Sequence, residues 1–457
     1  MGGSGGEAVW EYKCSWSLVT QSLCGNIDWF NMLLSVLLLL LVSGTQTSHY
    51  YGTLMTYYPQ ETYAKGSVSV ILRFKFNFHS CQDGSFSCTG NCGNESLVLP
   101  NTKCEEVIGV WCQSEKITSQ LLPNNSPFQL VYASGNWIDN LNGVVSWRAV
   151  TDVELRHRSD TNRPNSSPQT TMFPFLRVPS NCQRNINLLA FDPDGDEVKC
   201  RYAKMSLQEC ISPCTPPPVL SLSSNCTLSF SANSSSNEGW YVVEMVMEDF
   251  PRQAITLTQS DGSKVGKTTS DAISKIPIQF AFLVDPAAPS CSEGVYLPTF
   301  LLPTPEHGAH FYSPVNQALK IDIRASTTQS VITGLLYSGP YNVVKSSSGS
   351  GSFSLTWTPS ASEDGQSHPI CFVVQASFNS SVYQSELRCV VVTVRDKPTV
   401  TYVNVLKMKI STALSMKDNH VTIENLIKEG LMSRGFPPGI TVRLLSNKSE
   451  SYKKAAP

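Results

Sequence analysis

The sequence predicts a mainly β chain: tandem antiparallel β-sandwich domains closed by a small C-terminal β-α-β unit. Three observations carry that reading. Apolar residues recur with period two in run after run, turn signals of the Asp-Pro-Asp-Gly kind separate the runs, and charged residues make up only 15%, against ~25% in ordinary soluble chains. At 457 residues there is room for about three domains. The 34 basic and 36 acidic residues leave a net charge of −2, which is no electrostatic footprint for nucleic acid.

Residues 1–47 read as a leader. Met32–Val42 is an eleven-residue apolar run followed by Ser43-Gly-Thr-Gln-Thr47, the length of a signal-peptide core and short of the ~20 apolar residues a spanning helix needs. Glu7, Glu11 and Asp28 are the opposite of a basic region ahead of such a core. Translation is therefore expected to begin at Met32, with the mature N-terminus near Thr45 or Ser48. No later stretch reads as a membrane span; Val390–Val394 runs straight into Arg395, Asp396 and Lys397. The cysteines agree with secretion. Of fifteen, thirteen follow the leader, and Cys88/Cys92 and Cys210/Cys214 have three residues between them, where a zinc knuckle has two. Disulfides in an oxidising compartment are the better reading.

The segment 48–170 opens with the clearest strand of the chain. Val68, Val70, Leu72, Phe74, Phe76 and Phe78 alternate with residues of the other face, so one face is buried. Cys81, Cys88, Cys92, Cys104 and Cys112 follow in a loop-rich insert, where cross-links can replace a missing core. Val153–Arg158 reads as a further strand.

The segment 171–287 follows an Asn165-Ser-Ser-Pro168 linker. Ile186, Leu188 and Ala190 alternate, Asp192-Pro-Asp-Gly-Asp196 forces a turn through Pro193 and Gly195, and Val198 and Cys200 resume the alternation. Trp240–Met247 and Ile276–Val284 are later strands. Linker, strand, acidic turn and strand together resemble the opening of cadherin-like and immunoglobulin-like extracellular domains. The segment 288–397 repeats the scheme with strands at 319–323, 353–357, 369–375 and 386–394. Its phrases Phe353–Pro359 and Asp364–Phe372 look like repeats of multi-domain animal surface proteins. The whole mature chain resembles an uncharacterised family of secreted bony-fish proteins, a resemblance that brings no activity to any residue.

The tail, 398–457, changes period. Val403, Val405, Met408 and Ile410 suit a strand; Asp418 caps a helix with Ile423, Leu426, Ile427 and Leu431 on one face; Ile440, Val442 and Leu444 suit a second strand. In outline this is similar to half of an SEA-type or ferredoxin-like module, without the Gly-Ser-Val sequence of SEA autoproteolysis.

Chemistry is sparse. Asp192, Asp194 and Asp196 could ligate Ca²⁺ through alternate carboxylates, with Glu248 and Asp249 as a second contributor; a plain Asx turn explains the same residues without an ion. Gly262–Thr268 has three residues between its glycines, where a phosphate loop has four, and reads as a polar hairpin loop. His307 and His310 have metal spacing but sit in a Pro-rich connector. No catalytic signature appears, and a non-enzyme is expected. Sequons occur at Asn94, Asn124, Asn165, Asn225, Asn233, Asn379 and Asn447. Asn379 stands at the tip of a hairpin whose strands carry Cys371 and Cys389. Residues 371 and 389 are symmetric about 380, so the two cysteines fall opposite each other within disulfide range. That pairing leaves Cys291 for a partner in the preceding domain. Two function classes remain: a secreted or matrix-associated glycoprotein that binds an extracellular protein or a glycan, with a structural spacer as its variant, or an extracellular enzyme whose site the sequence does not expose.

Overall fold

The period-two run at Val68–Phe78 forms a strand whose six alternating apolar side chains all enter one core. In the computed structural model, residues 50–63, 66–79, 85–90, 97–98, 102–107, 111–231, 237–396, 419–432 and 442 are described. The leader expected over residues 1–47, Cys81, Asn94, Asn233, Asn447 and the tail strands expected at 403–410 and around 440–444 lie outside that set, Val442 apart. The chain divides into two units, Met1–Lys397 and Pro398–Pro457.

In the larger unit, strands β1 (Tyr50–Thr62), β2 (Val68–Phe78) and β3 (Trp111–Leu122) pair as an antiparallel meander. β4 (Phe128–Gly135) and β5 (Ser146–Val153) form a second hairpin. The strand expected over 153–158 is interrupted: β5 stops at Val153, and only His157–Arg158 pairs again, with Ile255–Thr258.

The segment that follows supplies β6 (Leu176–Pro179), β7 (Glu197–Tyr202), β8 (Gly239–Phe250) and β9 (Lys275–Asp285). β9 is the junction. One edge pairs with β8 along ten residues, from Lys275↔Glu248 to Val284↔Gly239. The other edge is shared in succession by Asp152 of β5, Leu54 of β1 and the parallel strand β6. One twelve-stranded sheet therefore runs across position 170. The close approach of β1 to β9 explains Gly52: its φ is +136°, and a Cβ there would lie 1.9 Å from the Gln279 carbonyl oxygen.

A three-stranded sheet, Arg184–Asn187, Thr227–Phe230 and Leu220–Leu222, faces the β7–β8–β9 region. The strand expected over Ile186–Phe191 ends at Asn187. The acidic turn thus passes the chain from one sheet to the other, since β7 pairs with β8. Cys200 and Cys226 link the two sheets.

The third region is a sandwich of a four-stranded sheet, which includes Leu319–Ser326 and Ser352–Trp357, and a five-stranded sheet. The latter contains β10 (Val331–Ser338), β11 (Ser367–Phe378), β12 (Ser381–Gln384) and β13 (Arg388–Val394). β11 and β13 are buried on both faces. Ile370, Phe372, Val374, Val390, Val392 and Val394 enter the sandwich's own core, while Cys371, Val373, Cys389 and Val391 join the core of the preceding region beside Phe280 and Phe282. That is why these strands read as unbroken apolar runs.

Cys371 lies opposite Cys389 in the β11–β13 register, and the two are disulfide-bonded. The hairpin tip is a two-residue turn, Asn379-Ser380, with both φ positive. Its centre falls between 379 and 380; a half-step taken up outside the strands at 385–387 brings the β11–β13 register to a centre at 380. Cys182–Cys291 joins the second region to the third, Cys210–Cys214 closes a local loop, and Cys88 and Cys112 are also disulfide-bonded. Among its described residues the smaller unit holds the helix α1 (His420–Met432), with Ile423 buried and Leu426 exposed.

Candidate functional site

The Asp192–Asp196 turn builds its own frame. Asp192 Oδ1 accepts the backbone N–H of Asp194 at 2.8 Å and of Asp196 at 3.1 Å, and Gly195 takes a φ of +85°. This is an Asx turn, as the residue types demand. One oxygen of Asp192 remains: Oδ2 is buried and has no hydrogen-bond donor, in a residue only 7% exposed. Each of Asp192, Asp194 and Asp196 offers a carboxylate oxygen to one cluster, all within 4.8 Å of one another.

The surroundings come from distant parts of the chain. Arg158, buried, makes a bidentate pair with Asp196 and a second with Asp160, and donates to Asn165 Oδ1 at 2.6 Å. Asn165 Nδ2 donates to Asp249 Oδ2 at 2.7 Å, and Asp249 Oδ1 accepts from the N–H and Oγ of Ser274 at 2.8 and 2.7 Å. Asp194 Oδ2 accepts the backbone N–H of Ser166 at 2.6 Å. The 158–166 connector, the turn, the end of β8 and the residue before β9 therefore meet at one corner.

Charge does not balance there. Asp160, Asp192, Asp194, Asp196 and Asp249 gather around one buried guanidinium, that of Arg158; Arg163, mostly exposed, stands 3.8 Å from Asp194, and Arg252 donates to the Gly195 carbonyl rather than to a carboxylate. Burial, with the charges of Asp249, Asp194 and Asp196, pushes the Asp192 carboxyl well above the usual carboxylate range. Burial pushes Asp249 up to about 7, against the hydrogen bonds from Asn165 and Ser274. Asp194 is raised by burial too, against the Ser166 N–H and Arg158.

Two expectations are corrected. Glu248 does not join this corner. Successive strand residues face opposite ways, so Glu248 points across β8 and accepts from Arg201 at 2.6 and 3.0 Å. Asn165 is not a glycan acceptor in this fold: it is 0% exposed, and its amide nitrogen is spent on Asp249 and the Ser166 carbonyl. Asn225 and Asn379 are exposed, and Asn124 is half-buried. His310 contacts Thr393 Oγ1 at 2.6 Å. Arg158 was the member sequence reasoning missed; Asp160 is two residues away, but Asp196 is 38 residues on, and no periodic signal ties the arginine to the acidic turn.

No protein-family model matches the chain, and no curated protein matches it.

Proposed function

We propose that the chain is a secreted or matrix-associated, disulfide-bonded recognition protein, without catalysis of its own, that binds an extracellular protein or a glycan. The observation that carries this reading is the disulfide framework: among the described residues, Cys200–Cys226 and Cys182–Cys291 cross between sheets or regions, Cys210–Cys214 and Cys371–Cys389 are local, and Cys88 and Cys112 are bonded too. Such cross-links persist in oxidising compartments. The resemblance to cadherin-like and immunoglobulin-like ectodomains and to secreted bony-fish proteins supports the same compartment, and Asn225 and Asn379 are the sequons best placed for glycans.

The acidic corner fits a divalent cation. Ca²⁺ takes six to eight oxygens at ~2.3–2.6 Å, and the orphaned Asp192 Oδ2 with the clustered oxygens of Asp194 and Asp196 supplies the donor type it requires. An ion held by these three residues would offset the surplus negative charge and fix the connector against β8. Secreted protein used as bait on its native tissue, with bound material read by mass spectrometry, should capture an extracellular partner reproducibly. Recovery of none from protein or glycan fractions would remove this reading.

A further inference from the structure

The first sheet and the third sandwich meet over the outer face of β2 and β3, and the polar side chains of that face are covered rather than solvated. Lys75 donates to the Gly339 carbonyl. Glu115 pairs with Arg73 at 2.9 Å and Lys75 at 3.4 Å, and its Oε2 accepts the Tyr341 backbone N–H at 2.8 Å. Arg73 and Lys75 pull the Glu115 carboxyl below the ordinary range against its burial.

Between these regions lies a cavity of about 270 Å³, bordered by Arg73, Glu115, Ile117, Tyr341, Glu363 and Gln366. Its floor holds unspent acceptors. Gln366 is 6% exposed, its Nε2 donates to Ser362 at 2.8 Å, and its Oε1 has no partner. Glu363 spends Oε2 on Ser360, while its Oε1 stands 4.0 Å from both Arg73 and His368. Its mouth is apolar, with Tyr341 44% and Ile117 38% exposed. Arg73 lines it against Glu115 and Glu363, and Lys75, buried behind the lining and paired with Glu115, brings the local sum to no net charge.

Resting on the recognition reading above, we infer that this cleft binds one residue of a neutral saccharide, its hydroxyl edge on Gln366 Oε1, Glu363 Oε1 and the Arg73 guanidinium and its C–H face on Tyr341. Three features select that class. Pockets for drug-sized ligands run to ~300–1,000 Å³, so this one takes a single ring. Balanced charge favours neither anion nor cation. Unspent acceptors beside a donor match hydroxyls, which both give and accept, while the apolar rim suits a ring with one non-polar face.

The test is a glycan array probed with the full secreted chain, followed by titration of the best glycan into wild type, Tyr341→Ala and Gln366→Leu. Tyr341 is exposed and its hydrogen bond to Glu115 is through the backbone, so Tyr341→Ala should fold as wild type does. Each substitution should weaken binding about tenfold or more with the melting temperature of Tyr341→Ala unchanged, and the terminal monosaccharide alone should compete. Glycan binding indifferent to a folded Tyr341→Ala overturns the site. An array with no bound glycan overturns the saccharide, and a protein captured from tissue in the same study would leave the recognition reading standing.

Discussion

Glu248 and Asp249 are neighbours on β8, yet they belong to opposite kinds of polar interior. On Glu248's side, Arg201 bridges Glu248 and Glu209, and Lys275 pairs with Glu209 at 2.9 Å and Asp152 at 3.1 Å. Each of these carboxylates meets a cation, and Glu209 is held below the usual carboxylate range by Arg201 and Lys275 despite its burial. On Asp249's side, the buried Arg158 pairs with Asp160 and Asp196 but not with Asp192 or Asp249, two acids are pushed up strongly, and an oxygen is left bare. The first network is closed and cements β7 to β8 and β9. The second is held together at an electrostatic cost that a bound cation would remove. Two buried clusters of similar size thus differ in what they can still do, and the difference lies in charge balance rather than residue type.

Substitutions sharpen that contrast. The largest effect is expected from Arg158→Met, which strips the acidic corner of its buried cation. It should destabilise the metal-free protein by about 3–5 kcal/mol in denaturant unfolding, and millimolar Ca²⁺ should restore part of the loss. Next come neutral isosteres placed in each network, for which opposite signs are expected. Glu209→Gln should lower stability by about 1–3 kcal/mol by leaving Arg201 and Lys275 short of a partner. Asp192→Asn should raise the stability of the metal-free protein at pH 8 by about 1–2 kcal/mol by removing an uncompensated buried charge. The same sign in both would erase the distinction.

The acidic corner should also set a pH dependence. Asp249's folded pKa, about 7, lies above its unfolded value of ~3.9. Its contribution is therefore fully present below about pH 4 and is lost as pH rises through 7. Metal-free protein should lose stability between pH 6 and 8, by at most about 1.4 kcal/mol per pH unit from this group. Glu244, buried against Trp137, is pushed up to about 8 and adds a slope of the same sign. Measured in a Glu244→Gln background, the remaining slope belongs to the corner, and a flat profile there would contradict it.

The smallest effect concerns the β11–β12 turn. Asn379, at φ +46°, should tolerate Gly and lose about 1 kcal/mol on replacement by Val, because β-branched residues resist that backbone conformation.

How much was legible depends on distance along the chain. β2, β11 and β13 announce themselves because each carries its pattern within a dozen residues. The Cys371–Cys389 pairing followed from symmetry about 380, although the turn centre and the strand register differ by a half-step that the 385–387 segment absorbs. The unbroken run Val390–Val392 was legible only as a strand; its burial on both faces, between two cores, is a finding of the structure. By contrast, the sharing of β9's edge by Asp152, Leu54 and β6 links residues more than a hundred positions apart, and no local period encodes it. The acidic turn was visible and Asp249 was associated with it, but strand parity separates Glu248 from it, and Arg158 and the burial of Asn165 depend wholly on tertiary structure.

The most direct test of the acidic corner is thermal unfolding of the purified, disulfide-bonded chain at pH 8, freed of metal and then titrated with Ca²⁺, with Asp192→Asn alongside. A cation held by the folded state alone stabilises it by about 2.7 kcal/mol at a hundred times its dissociation constant. The wild type should melt at progressively higher temperature as Ca²⁺ rises, and Asp192→Asn should not respond. An unchanged wild-type melt through millimolar Ca²⁺, or an equal rise in Asp192→Asn, would contradict a cation at this corner.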